Sequence, residues 1–162
     1  MNNQKYLIKL LDFIDSDFEN FSDEVQNQAK KMFLDLAGVI CAGTKNNTVQ
    51  TIASYVKDNY PQGKYTVLGT GEKTNLIGAA LANGMAANAL DLDDGYSLLR
   101  GHPGAGFFGA LISAAENSAC TYGDFLAAIV IAYEISIRQG YAIRHFYGWD
   151  HSSGSYGTFA TA

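Results

Sequence analysis

The chain lacks the means for several functions. Its two cysteines, Cys41 and Cys120, belong to no CxxC pair and have no paired histidine nearby, so neither a zinc site nor a disulfide framework is suggested. Both sit within apolar helical patterns and are expected to be buried small hydrophobes. Lysine and arginine number 11 against 16 acidic residues, a net charge of −5, and form no cluster. The electrostatic footprint of a nucleic-acid or anionic-membrane partner is therefore lacking. The chain opens Met1-Asn-Asn-Gln-Lys5, without the basic and then apolar layout of a leader. The longest uncharged run of its first 100 residues, 74–90, contains three Asn and two Gly and falls short of the ~20 apolar residues that span a bilayer. The expectation is a soluble, reduced, cytoplasmic protein whose partners are small molecules or other proteins.

What is present is mostly helical pattern. At 162 residues, with 48% hydrophobic and 17% charged, the chain suffices for one domain with a substantial core and is not of disordered composition. Leu7, Leu10, Leu11, Ile14 and Phe18 recur at helical spacing over 4–18, the pattern of a docking helix. Ser22, followed by Asp23 and Glu24, reads as the N-cap of a second helix that Gly43 ends. A third runs from Val49 to Asn59 and stops at Pro61-Gln-Gly63. Residues 75–90 are rich in Ala and Gly and apolar nearly all round, which predicts a buried helix with close neighbours; Asn83-Gly84 lacks the alternating flanks of a hairpin. Further helices are predicted over 105–119, over 124–144, where Glu134 and Arg138 form an i,i+4 pair, and from Ser155 onward. Only Lys64-Tyr-Thr-Val-Leu68 looks like a strand. Gly69-Thr-Gly-Glu-Lys-Thr74 resembles a phosphate loop but has Glu72 where Gly is needed, and it reads as a surface turn. The fold class is thus all-α, with at most one short strand near 64–68. Residues 1–162 form a single helical domain, expected to be incomplete because the last helical pattern has no C-cap.

Polarity concentrates in two loops. The first, 91–104, holds Asp91, Asp93, Asp94, Arg100 and His102; the second, 145–154, holds His145, Asp150 and His151. Each leads into a small-residue helix whose first backbone N–H groups, at Gly104-Ala-Gly106 and Ser152-Ser-Gly154, can hold a carboxylate. His102 and His151 can exchange a proton near neutral pH. From the pattern alone, Asp91, His102 and His151 stand equally well as site residues or as parts of solvated turns, while Asp93 and Asp94 read as caps or supports. A metal site built on the aspartates and histidines lacks recognised ligand spacing, and Gly95 stands where a calcium loop needs an oxygen ligand.

Leu81-Ala-Asn-Gly-Met-Ala-Ala-Asn-Ala-Leu-Asp-Leu-Asp-Asp94, Gly101-His-Pro-Gly104, Tyr133-Glu134 with Arg138, and His151-Ser-Ser-Gly154 with Gly157 occur in order. In these stretches, and in Tyr65-Thr-Val-Leu-Gly-Thr-Gly71, the chain resembles the MmgE/PrpD family, which includes 2-methylcitrate dehydratase, cis-aconitate decarboxylase and iminodisuccinate epimerase. The resemblance implies the N-terminal part of that family's helical domain, in a cofactor-free, metal-free and dimeric lyase or isomerase acting on a small di- or tricarboxylate. It implies catalytic roles for Asp91, His102 and His151, and substrate contacts from Ser97, Arg100, Gly104, Ser152 and Ser153. Gly95 departs from the Asp-Asp-Thr of many relatives and the loop to His102 is one residue longer, so a hydroxyl contact is either lost or moved to Ser97. The lysines and tyrosine that complete the family's site lie beyond residue 162, so the chain alone is expected to be inactive. The alternative is a non-catalytic helical module for assembly or carboxylate binding.

Overall fold

The computed structural model describes residues 3–148 and 153–162. Seven helices are seen among them: α1 (Asn3–Ile14), α2 (Asp23–Gly43), α3 (Asn47–Asn59), α4 (Leu76–Asn88), α5 (Pro103–Asn117), α6 (Tyr122–Tyr147) and α7 (Ser153–Thr161). Two strands of two residues each, β1 (Tyr65–Thr66) and β2 (Lys73–Thr74), pair antiparallel. The architecture is all-α, as the periodicity predicts. The strand expected near 64–68 finds its partner across the Gly69–Gly71 turn, where both glycines have φ near +75°.

Local chemistry starts the helices, α2 where Ser22 predicts and α3, α5, α6 and α7 about two residues earlier than their apolar patterns suggest. Ser22 caps α2 by accepting from Val25 N–H, Asn75 caps α4 by accepting from Gly78 N–H, and Thr121 with Asp124 forms a capping box on α6. The docking helix is shorter than its pattern. It ends at Ile14, so Phe18 enters the core separately from a 3₁₀ turn, while Leu7, Leu10, Leu11 and Ile14 remain exposed.

The core gathers Leu36 and Ile40 of α2, Phe107 and Phe108 of α5, and Leu126 and Ile129 of α6, all essentially inaccessible. Phe33, Phe108 and Phe125 meet at 5.4–6.2 Å between ring centroids, two of the three contacts edge-on. The stretch Tyr122–Phe146 is long and apolar enough to cross a bilayer by length and composition. In the fold it packs against α2, α5 and α7. Asn83, buried within α4, donates to Thr66 C=O and accepts from Leu68 N–H, which fastens the hairpin to the helix layer. Glu134 and Arg138 pair at 2.6 Å on the exposed side of α6.

One expectation is corrected. Both cysteines are exposed. Cys41 falls beside the buried stripe of Leu36, Ile40 and Gly43 rather than on it, and Cys120 lies in the link after α5 rather than within a helix.

α4 and α5 form the most extensive helix pairing, with α5 also packed on α7. Small residues set that spacing. Gly106 and Gly157 bring the α5 and α7 backbones together, since a Cβ on either would stand 3.1–3.2 Å from the other's Cα. The loop 89–102, from the end of α4 to the start of α5, is thereby held against the beginning of α7.

Candidate functional site

After α4 the chain reverses at Asp91, whose N–H donates to Asn88 C=O and whose φ is +54°. A left-handed non-glycine residue is costly and occurs where the surroundings enforce it. Asn88 Nδ2 then donates to both carboxylate oxygens of Asp93, at 3.2 and 3.3 Å. A short bridge between Tyr96 and Gly101 closes the loop, with Leu99 buried and Arg100 at φ +50°. The chain thus arrives at His102, the residue before α5, facing back toward Asp91 and Asp93.

Each nitrogen of the His102 ring faces a carboxylate: Nδ1 lies 3.3 Å from Asp93 Oδ2, and Nε2 lies 3.2 Å from Asp91 Oδ1. Nδ1 also lies 3.2 Å from the Asp93 carbonyl oxygen. The two carboxylates differ in setting. The Asp93 side chain is fully buried, that of Asp91 is 85% exposed, and the imidazole between them is 27% exposed. Asp93 fixes the ring from inside, and the Nε2 side opens outward.

That opening is a cavity of about 380 Å³ lined by Asn88, Asp91, His102, Ala105, Gly106 and Ser153. Ser153, the first residue of α7, accepts from His102 N–H at 2.9 Å and from the Tyr156 hydroxyl at 3.3 Å. The starts of α5 and α7 therefore meet at the same cavity, and helix starts favour anions. Removing the Ser153 hydroxyl leaves the His102 N–H without its acceptor. Ser153→Ala is expected to cost about 1 kcal/mol of stability by chemical denaturation.

One oxygen of Asp94, Oδ2, accepts from Gly104 N–H at 3.3 Å. Burial raises the Asp94 carboxyl to about 6, against the Gly104 N–H and the Tyr133 hydroxyl, which lower it. Burial, followed by the facing Asp94, raises Tyr133 as well.

Asp91, His102 and Ser153, singled out in the sequence, are thus brought to one cavity. Ser97 and Arg100 are exposed on the loop and do not line it. The Gly104 N–H is engaged by Asp94 rather than turned to the cavity, which Ala105 and Gly106 line instead. His151 and Ser152 lie outside the described residues. Sequence reasoning missed Asn88, which ends the apolar pattern of α4 and carries no signal beyond its polarity there. Asp91, Asp93 and His102 each offer a ligand atom within 4.8 Å of the other two. Because the carboxylates take opposite ring nitrogens, the arrangement is that of a hydrogen-bonded imidazole rather than of ligands converging on one ion.

A larger cavity of about 570 Å³ lies among Phe33, Ile40, Cys41, Phe108, Ile112 and Phe125. Among the described residues that line it the carboxylate is Glu116, whose two oxygens already accept from Thr66 N–H and hydroxyl. Convergent polar groups, not size, distinguish the His102 cavity from this one.

Residues 10–162 match the family model of the MmgE/PrpD N-terminal domain. A curated relative, the cis-aconitate decarboxylase-like protein oryM of Aspergillus oryzae, is 30% identical over 154 residues, covering 86% of this chain and 31% of the relative. The chain spans less than a third of that relative's length.

Proposed function

Because the chain belongs to the MmgE/PrpD family, we propose that it is the N-terminal part of a lyase or isomerase acting on a small di- or tricarboxylate by acid–base chemistry. The carrying observation is the His102 imidazole held between a buried carboxylate and an exposed one, at a cavity where two helices begin. In this reading Asp93 orients the ring through Nδ1, and Nε2 exchanges a proton with the substrate carbon or its leaving group. Asp91, beside Nε2, helps to place that proton. A substrate carboxylate sits against the first turns of α5 and α7, where Ser153 presents its hydroxyl and backbone N–H groups favour negative charge. The same groups stabilise the charge that builds up as a proton is withdrawn beside a carboxylate. Dehydration and epimerisation begin with such a step; decarboxylation reaches a similar carbanion by losing CO₂, and the acid then returns a proton to that carbon. The name of the Aspergillus relative favours cis-aconitate or a close analogue as the acid. His151 and Ser152 are proposed to complete this half of the site from the second loop, in a cytoplasmic homodimer that needs no cofactor.

Calorimetric titration with cis-aconitate, citrate and 2-methylcitrate tests the reading. Heat of binding is expected for at least one acid and is expected to vanish in His102→Ala. Binding that ignores the substitution would favour a non-catalytic carboxylate-binding module instead.

A further inference from the structure

Beneath the His102 loop lies a second pair of groups that the proposed chemistry does not use. Asp94 Oδ1 and the Tyr133 hydroxyl are both buried and without a hydrogen-bond partner of regular geometry among the described residues. They close on one point. A Cβ added to Gly104 would stand 2.3 Å from Asp94 Oδ1 and 2.5 Å from the Tyr133 oxygen, with Leu36 of α2 at 3.0 Å. Buried polar atoms pair wherever a partner is in reach. Among the described residues the phenol faces the Asp94 carboxyl as its hydrogen-bonding acceptor, and the carboxyl's other oxygen already holds the first turn of α5 through Gly104 N–H.

We propose that Asp94 and Tyr133 form a buried carboxyl–phenol pair that positions the start of α5, and through it His102, and that the protonation state of Asp94 sets that position. Ionised, Asp94 accepts from both Gly104 N–H and the Tyr133 hydroxyl. Protonated, it gives its proton to the phenol oxygen and holds Gly104 through a neutral oxygen, a weaker bond. Gly104 is two residues from His102, so a change in how firmly its N–H is held is passed directly to the imidazole. The titratable groups facing the pair are Asp93 and His102 from the same loop as Asp94, Tyr156 from α7 and, beside Tyr133, Asp35 from α2. Asp94 is a positioning residue in this scheme, since it does not line the cavity.

The Asp94 carboxyl is raised to about 6 from its ordinary 3.8, so the fold favours the protonated form. The stabilisation it contributes is fully present below the ordinary value and is lost as pH rises through about 6.

Two-dimensional ¹H–¹⁵N NMR of the chain between pH 4 and 8 reads the pair directly. The Gly104 amide is expected to move with a midpoint near 6, and the His102 amide to carry a component with the same midpoint. Tyr133→Phe removes the phenol donor while keeping the ring against Phe107, 5.1 Å away, and is expected to shift both midpoints to higher pH. Asp94→Asn imitates the protonated acid and is expected to hold both amides at their low-pH positions. A Gly104 amide that does not titrate, a midpoint indifferent to Tyr133→Phe, or a titration confined to Gly104 would each overturn the proposal. Should Asp94→Asn fail to fold, Tyr133→Phe decides alone. The functional consequence rests on His102 being the acid–base group, but these resonances need no turnover. Failure of the pair therefore shows here, and failure of the His102 assignment shows in the acid titration.

Discussion

On the proposed acid–base role, a His102→Gln substitution in the full-length protein is expected to slow turnover by about 10²–10⁴-fold, the range supplied by a positioned acid–base group, and to leave folding nearly unchanged. Glutamine has roughly the reach of histidine and can still donate toward Asp93, so the buried side of the site retains a partner. Apart from the contact of Nδ1 with the Asp93 carbonyl, which a glutamine amide N–H can take over, the bonds at the start of α5 do not involve the ring: His102 N–H still reaches Ser153, and Gly104 N–H still reaches Asp94. What is lost is the ability to carry a proton. Measured kcat should fall far more than KM rises, with the circular dichroism spectrum and melting temperature close to those of wild type. A variant retaining more than about a tenth of wild-type kcat would remove His102 from the chemistry, because a drop that small lies below the acid–base range.

A large loss of stability is expected at Gly109, a helix-packing position that does not line the His102 cavity. On α5 it faces α4 so closely that a Cβ would stand 2.5 Å from both Ala80 O and Gly84 N, and 2.9 Å from Gly84 Cα. These are backbone atoms of a packed helix and cannot swing aside as a side-chain tip does. Gly109→Ala must push the two helices apart, and overpacking of this kind costs about 3 kcal/mol. In a domain of this size that lowers the melting temperature by roughly 6–12 °C. α4 ends at Asn88 and α5 begins beside His102, so the displacement also opens the Asn88–Asp93–His102 contacts. Gly38→Ala is the control: its Cβ meets nothing within 4 Å, and the change should stabilise α2 by roughly 0.5–1 kcal/mol.

Much of this arrangement is visible in the chain before any folding. The helices follow from apolar residues at three- and four-residue spacing, such as Leu36 and Ile40, and the start of α2 from Ser22. The polar loop stands out because charge and helix breakers interrupt two apolar segments, and Asp91 and His102 are its conspicuous members. Relations between elements are not written so locally. Asn88 reads as one polar residue at a helix end until the chain reverses and sets it against Asp93. Asp94 and Tyr133 meet only because α6 crosses behind the loop, and Gly109 looks like any helical glycine until α4 is laid against it. Cys41 shows the opposite failure. Its neighbours are apolar, yet one step around the helix separates a buried stripe from solvent.

The bond from His102 N–H to Ser153 Oγ joins residues 51 apart in the chain, with the whole of α6 between them. A cavity wall of this kind cannot assemble early from neighbouring residues. It exists only once the long helix has returned α7, a nine-residue helix, to the Gly106–Gly157 crossing. α7 is therefore the natural place for partial opening, and its detachment dismantles the cavity while the α2–α5–α6 core stays intact. Hydrogen exchange at the His102 amide then reports how often the site is whole, separately from how often the protein is folded.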